Sequence, residues 1–392
     1  MTARADRVQR VAERYVADGA FSGVEWHVEH RGETLAAGKT GYADAAERTP
    51  IPDGAIYRIF SMTKPVVSLL ALQLVERGEL RLFDFVAQYD ERFAAMTVLS
   101  ADGALEPARR LITVEDLLTH RAGMSYEFIH GCQIAQYYRD ARVNADGLCD
   151  LDVMMERVAA LPLAFHPGDA WRYSVSIDVL AHVIERATGR RLDELLDEHI
   201  FAPLGMHDTA FHVPADKQGR LMSIYGRELL GTPALAAVPH VLEPIDVNEM
   251  YPLDNPATFR RGGLGLYSTT SDYLAFARML LDGRAPSGEV VLSRKMLEMA
   301  RANRLPASQV PIAIGPNVLR GYGWGLVGRV MLDRGAAMSL TSEGEFGWAG
   351  AATTFFWSDP AEALCGVFMT QYIGSTLPLA DEMRTAAYQA ID

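Results

Sequence analysis

The chain has 392 residues, enough for one large domain or two to three ordinary ones, and its 49% hydrophobic and 22% charged residues allow a sizeable globular core. A formal charge of −13 without any Lys/Arg-rich run excludes a nucleic-acid partner, which needs a clustered basic field. No segment offers about twenty consecutive apolar residues, so no membrane span is expected, and three cysteines without a C-x-x-C pair suit reduced thiols better than a disulfide framework.

The N-terminal stretch MTARADRVQRVAERYVADGAF carries charges throughout and lacks an apolar h-region. It reads as an amphipathic surface helix and not as a secretory signal, which makes a cytoplasmic location the expectation. Next, GVEWHVEHRGETLAAGKTGYA alternates apolar Val24, Trp26 and Val28 with polar Glu25, His27 and Glu29, then turns at Arg31-Gly32; this pattern predicts a β-hairpin. In residues 57–80, YRIFSMTKPVVSLLALQLVERGEL, the apolar Val66, Val67, Leu69, Leu70, Leu72, Leu74 and Val75 surround most of a helix. Ser61, Lys64 and Ser68 nevertheless lie within roughly 60° of one another on it, a polar stripe on an apolar cylinder.

Between about residues 80 and 260 helical signals dominate, in VEDLLTH, CDLDVMMERVAALP and SIDVLAHVIERATGRRLDELLDEHIFAPLGM, and a further helix is expected in STTSDYLAFARMLLDG. Breaks fall at SADGALEPA, at HPGDAW and across the long loop 214–262. The C-terminal ATTFFWSDPAEALCGVFMTQY predicts two strands around an Asp359-Pro360 turn, followed by a closing helix at about 377–390. Hairpins at both ends imply an α+β fold: one antiparallel sheet flanked by helices, assembled from 8–80 and 262–388, with a mostly helical insertion at 81–261, as a single domain over 8–388.

The polar stripe carries the chemistry. A serine hydroxyl needs a base within hydrogen-bond reach to act as a nucleophile, and a lysine three residues on shares its helix face. Desolvation together with other positive potential would lower the lysine pKa and free its amine. Ser61 near a helix N-terminus would also meet backbone N–H groups suited to an oxyanion, and Pro65 fits the first turn. Two later features stand in chain order with Ser61-x-x-Lys64: Tyr173-Ser174 before a helix, and Trp348-Ala349-Gly350 entering a strand. No G-x-S-x-G elbow occurs, against an α/β-hydrolase, and no H-E-x-x-H or tight His/Asp cluster suggests a metal. His120 reads as structural, holding a loop after a helix end. Tyr126 and Tyr267 are candidates for the pocket wall, and Gly262, Gly263 and Gly265 for a turn at its rim.

This order of motifs resembles the serine β-lactamase and penicillin-recognising superfamily, and most closely the family VIII carboxylesterases related to class C β-lactamases. The stretches LITVEDLLTHRAGM, LPLAFHPGDAWRYS, IFAPLGMHDTAF, RRGGLGLYSTTSDYLAFARMLLDG and GYGWGL resemble the family in the same order from about residue 8 to 388. The resemblance implies a β-lactamase-like fold and an enzyme without metal or cofactor that acts on small-molecule esters. It implies Ser61 as the acyl-accepting nucleophile, Lys64 as its proton partner, and Tyr173 as general base or shuttle. An oxyanion hole from the backbone N–H groups of Ser61 and Ala351 would follow, the latter on the edge strand, with Trp348, Gly350 and Tyr126 against the substrate.

Two positions depart from the β-lactamase pattern. Trp348 stands where those enzymes have the lysine of Lys-Thr-Gly, which removes a charge that holds a substrate carboxylate and offers an apolar wall. Val175 stands in place of the asparagine of the tyrosine motif. Both favour neutral acyl esters over penicillins or peptides. The rival readings are an acyltransferase, an amide hydrolase with weak β-lactam cleavage, and a non-catalytic penicillin-binding-like sensor.

Overall fold

Two hairpins from opposite ends of the chain build the central sheet of the computed structural model, which describes residues 6–129, 131–226, 241–253 and 259–391. In chain order, α1 (Asp6–Ala17) leads into β1 (Gly23–His30), β2 (Glu33–Asp44) and the two-residue β3 (Thr49–Pro50), and a 3-10 turn, Phe60–Met62, opens α2 (Thr63–Glu76). Then come α3 (Val114–Leu118), α4 (Gln133–Asp140), α5 (Leu151–Ala159), α6 (Ser176–Thr188) and α7 (Leu192–Leu196). After α8 (Thr270–Asp282) and α9 (Arg294–Arg301), strands β4 (Tyr322–Trp324), β5 (Arg329–Met331), β6 (Phe346–Gly350), β7 (Thr354–Asp359) and β8 (Leu364–Met369) precede the closing helix α10 (Leu379–Tyr388). The sheet order is β4-β5-β6-β7-β8-β1-β2-β3, and every pairing is antiparallel.

The first hairpin turns at Arg31-Gly32, both at positive φ, 54° and 80°, the arrangement that matches the twist of antiparallel strands. The apolar residues Val24, Trp26 and Val28 are buried on the face that α1 and α10 cover. There α1 contributes Val8, Ala12 and Tyr15, spaced for one helix face. Two indoles on this layer lie over glycines of the neighbouring strand: a Cβ on Gly366 would stand 2.1 Å from the Trp357 ring, and one on Gly38 would stand 2.6 Å from Trp26. The opposite face carries α8, whose Tyr273 and Phe276 pack on Phe356, while Ser358 donates to the Ala277 carbonyl at 2.8 Å. Buried Glu29 of β1 is paired there with Arg278. No helix among the described residues is long and apolar enough to cross a membrane.

Several expectations need correction. The helix of residues 57–80 begins only at Thr63, because Phe60 adopts the left-handed region at φ 43° and Tyr57–Arg58 pairs with Tyr267–Ser268. The long helical run from Ser176 breaks at Gly189, left-handed at φ 67°, then resumes as α7 and a π turn, Asp197–Phe201. The break at SADGALEPA is a short hairpin, Thr97–Leu99 with Leu105–Pro107. Of the long loop 214–262, residues 227–240 and 254–258 lie outside the described residues; the described part includes a 3-10 turn, Ala215–Arg220. Strand β6 is not an edge strand, since β5 pairs with it. That pairing covers only Phe346 and Gly347, so residues 348–350 keep one side free of β5.

The Gly366–Trp357 contact generates a stability test. Gly366→Ala is expected to lower unfolding stability by about 1–3 kcal/mol through overpacking, read as a lower urea midpoint at unchanged slope.

Candidate active site

The turn before α2 is pinned by three hydrogen bonds to two other segments. The Ile59 N–H donates to the Leu266 carbonyl at 3.1 Å, the Leu266 N–H donates to Thr63 Oγ1 at 3.1 Å, and the Tyr273 hydroxyl donates to the Met62 carbonyl at 2.7 Å. A non-glycine residue at positive φ costs roughly 1–3 kcal/mol and persists only where its surroundings over-determine it. Phe60 is such a residue: it is buried, with its ring 4.9 Å from that of Tyr251. The result is that Ser61 projects from a fixed turn just ahead of the helix.

Lys64 follows on the first turn of α2 and is buried, with Nζ 3.2 Å from Ser61 Oγ and donating to the Gly263 carbonyl at 2.5 Å. Its Nζ also stands over the rings of Tyr173 and Tyr126, at 4.7 and 5.0 Å from their centroids. Burial pulls its pKa down to about 7, although Asp178 and Glu127 pull the other way. The expected help from neighbouring positive charge is therefore not the cause; desolvation is.

Asp178 was not anticipated. It is fully buried on α6, where its Oδ1 accepts from the Gly263 N–H at 2.9 Å while Oδ2 has no hydrogen-bond partner. A Cβ on Gly263 would stand 2.2 Å from that Oδ2 and 2.8 Å from the Tyr126 hydroxyl, so only glycine fits. The glycine segment thus lies beneath Lys64 and not at the rim. Burial raises the pKa of Asp178, and burial likewise raises that of Glu127, which accepts from Asn144 at 2.7 Å. The signal for Asp178 was present: a lone carboxylate within the apolar run Ile177, Val179, Leu180 and Ala181.

Tyr173 accepts a hydrogen bond from Trp348 Nε1 at 3.0 Å and lines the same cavity as Ser61. Burial raises its pKa, so the phenol keeps its proton near neutrality. Trp348 is more than an apolar wall, because an indole N–H can only donate and here it donates to this oxygen. Trp348 also packs edge-on against Trp324 at 4.5 Å, and Trp324 Nε1 donates to the Leu118 carbonyl. His120 is buried behind the site with its ring 4.9 Å from Tyr173 and Nδ1 3.3 Å from Ser174 Oγ, and burial holds its pKa well below the ordinary value. Val175 points into the core and presents nothing to the site.

The end of β6 meets the Ser61 turn closely: a Cβ on Gly350 would stand 2.4 Å from the Ile59 carbonyl oxygen. Ser61, Tyr126, Tyr173, Trp348, Gly350 and Ala351 line one cavity of about 740 Å³. Tyr126 is stacked on Phe128 at 4.8 Å, and its buried hydroxyl has no hydrogen-bond partner. Tyr267 is elsewhere, packed on Tyr251 at 5.0 Å and donating to the Pro252 carbonyl. Asp90, Asp152 and His182 bring three potential metal ligands within 4.8 Å of one another, but Arg92 already bridges both carboxylates and Arg186 binds Asp152. The cavity therefore presents a hydroxyl and a phenol, with a buried amine behind the hydroxyl, an arrangement suited to proton transfer and nucleophilic attack.

The family model described as Beta-lactamase matches residues 8–389. An uncharacterized protein of Mycobacterium tuberculosis (strain CDC 1551 / Oshkosh) is 34% identical over 376 residues, covering 92% of this chain and 88% of its own. Esterase EstB of Burkholderia gladioli is 32% identical over 402 residues, covering 98% of this chain and 95% of its own. Among solved structures, EstCE1, "a hydrolase with promiscuous acyltransferase activity", superposes with a TM-score of 0.84 at 24% identity over 98% of both chains.

Removing the Asp178 charge while keeping an Oδ1 acceptor for Gly263 is expected to lower the Lys64 pKa further. Covalent labelling of Ser61 by a fluorophosphonate is expected to rise with pH as Lys64 loses its proton, and in Asp178→Asn that rise should shift to lower pH. An unchanged profile would mean that Asp178 does not act on Lys64.

Proposed function

The chain belongs to the Beta-lactamase family and is an ester-acting serine hydrolase within it, and from that premise we propose that it is a carboxylesterase working through a Ser61 acyl-enzyme on small to medium acyl esters. The observation that carries the reading is the buried Lys64 amine 3.2 Å from Ser61 Oγ, with a pKa of about 7. Neutral Lys64 takes the Ser61 proton as Oγ attacks the ester carbonyl, and the backbone N–H groups of Ser61 and Ala351 receive the oxyanion. Tyr173 acts as shuttle rather than base, because its raised pKa keeps it protonated. The Trp348 N–H occupies one lone pair of the Tyr173 oxygen, so the phenolic proton passes to the departing alkoxide while protonated Lys64 returns the Ser61 proton to the Tyr173 oxygen, and both groups end the acylation step in the form in which they began it. Water then attacks the acyl-enzyme with the same groups in reverse. The Ser-Lys arrangement is a variant of triad chemistry and needs no histidine.

The neutral indole at position 348, in place of a lysine, supports neutral ester groups at the reacting end over penicillins. Acyl transfer to an alcohol is the second reading, supported by a cavity large enough for an acceptor beside an acyl chain and by the promiscuous acyltransferase activity of EstCE1, which shares the fold. An added alcohol that captures the acyl group at the expense of hydrolysis distinguishes the two.

With p-nitrophenyl butyrate, Ser61→Ala should lower kcat by about 10⁴-fold or more and Tyr173→Phe by about 10²–10⁴-fold, with folding checked by circular dichroism. Wild-type kcat/KM should rise as pH increases through about 7, where Lys64 becomes neutral. Full activity in folded Ser61→Ala would refute the mechanism.

A further inference from the structure

The cavity does not end at the reacting serine. Away from Ser61 it is lined by Tyr322, Arg329, Phe355, Asp381 and Arg384, where β4, β5, β7 and α10 meet. Arg329 donates to both oxygens of Glu345 at 3.1 and 3.2 Å, and Glu345 is fully buried. Arg384 spends Nη2 on Asp381 at 2.9 Å, while its buried Nη1 makes no hydrogen bond and lies 3.8 Å from Glu345 Oε2. The buried Tyr322 hydroxyl has no hydrogen-bond partner either. Both guanidinium groups stand over aromatic rings, Arg329 over Tyr322 and Phe355, and Arg384 over Phe355.

Both buried guanidiniums face the sealed Glu345; a further sealed carboxylate, Asp359, is taken up by the Tyr388 hydroxyl and the Ser342 N–H, and Asp381, which pairs with Arg384, is 74% exposed, where water screens it. A guanidinium fork with an unused arm, beside a phenol that lacks a partner, is suited to a carboxylate. The distance to the reacting centre follows from the sheet. Arg329 pairs with Gly347, three residues before Gly350 on β6, so at about 3.4 Å per residue its backbone lies roughly 10 Å along the sheet from the strand end beside Ser61, with its side chain over Phe355 on the face that α10 covers.

We propose that this end of the cavity is an anion subsite, centred on Arg384, that takes a carboxylate carried by the substrate several carbons away from its scissile ester. The proposal rests on the esterase reading and narrows it: the reacting ester is neutral and the remote end of the acyl or alcohol chain is anionic. A purely structural ion cluster would share the same burial but would not discriminate between substrates.

The test compares matched esters. Mono-p-nitrophenyl nonanedioate is set against p-nitrophenyl nonanoate for an acyl-side carboxylate, and the butyrate ester of 8-hydroxyoctanoate against octyl butyrate for an alcohol-side one. Wild type is expected to favour the carboxylated member of one pair in kcat/KM by roughly tenfold, chiefly through KM, and Arg384→Met should abolish that preference while sparing the neutral esters. Arg384→Lys, which keeps the charge beside Glu345, should retain part of it and serves if the methionine variant does not fold. Equal kcat/KM within both pairs overturns the subsite but leaves the esterase reading standing. Failure to hydrolyse any of the four sinks the esterase reading. In that case calorimetric titration with nonanedioate still decides the subsite: binding that Arg384→Met loses supports it, and no binding overturns it.

Discussion

The site depends on one physical circumstance: an amine placed where water does not solvate its charged form. Sealing an ammonium in a protein interior costs several kcal/mol unless other groups replace its hydration, and around Lys64 the replacement is partial. One backbone carbonyl, that of Gly263, two aromatic faces, and the fields of Asp178 and Glu127 favour the cation; burial disfavours it and prevails. The amine is left near its midpoint at neutral pH, able to accept a proton and to return it. Had either carboxylate contacted Nζ directly, the lysine would be a fixed cation and no base. Asp178 instead reaches it through the backbone of Gly263.

The rest of the scaffold keeps this geometry fixed before any substrate arrives. The serine turn is held by hydrogen bonds from two separate segments, around Leu266 and Tyr273, and its left-handed Phe60 is tolerated because the ring is packed. On the other side, β5 stops pairing with β6 at Gly347, which frees the flank of residues 348–350 just where the strand reaches the serine. The aromatic layer of His120, Trp324 and Trp348 then fixes Tyr173 from behind. Together with the indole N–H donated by Trp348, these contacts fix the position of the phenol.

What could be read in the sequence were features that local pattern encodes. The strand alternation of Val24, Trp26 and Val28, the Arg31-Gly32 turn and the terminal helices follow from local pattern, Ser61 and Lys64 stand at a fixed spacing, and Tyr173 was singled out by its order after them. What could not be read depends on residues far apart in the chain. Lys64 meets Gly263, Tyr173 meets Trp348, and Gly350 meets Ile59, so the cause of the lowered lysine pKa and the donor role of the indole appear only once the chain is folded. The left-handed Phe60 ran against local preference, because a bulky residue rarely adopts that conformation; this is why the helix seemed to include Ser61. Asp178 was legible in principle by the reasoning applied to Lys64, as a charge in an apolar helix, but its partner was not.

The pairing of β1 with β8 has a consequence for how the molecule comes into being. His30 is partnered by Leu364, and α1 lies beside α10, so the first hairpin leaves the ribosome with one flank bare and stays so until nearly the whole chain has been synthesised, a delay on the order of tens of seconds. The residues of β6 that line the cavity with Ser61 also come late. Nascent chains therefore pass through a long interval in which Ser61 and Lys64 exist without the sheet that organises them. Such non-local closure makes for slow folding and exposes a strand edge to other chains, so molecular chaperones that shield that edge during translation would bear directly on how much active protein a cell obtains.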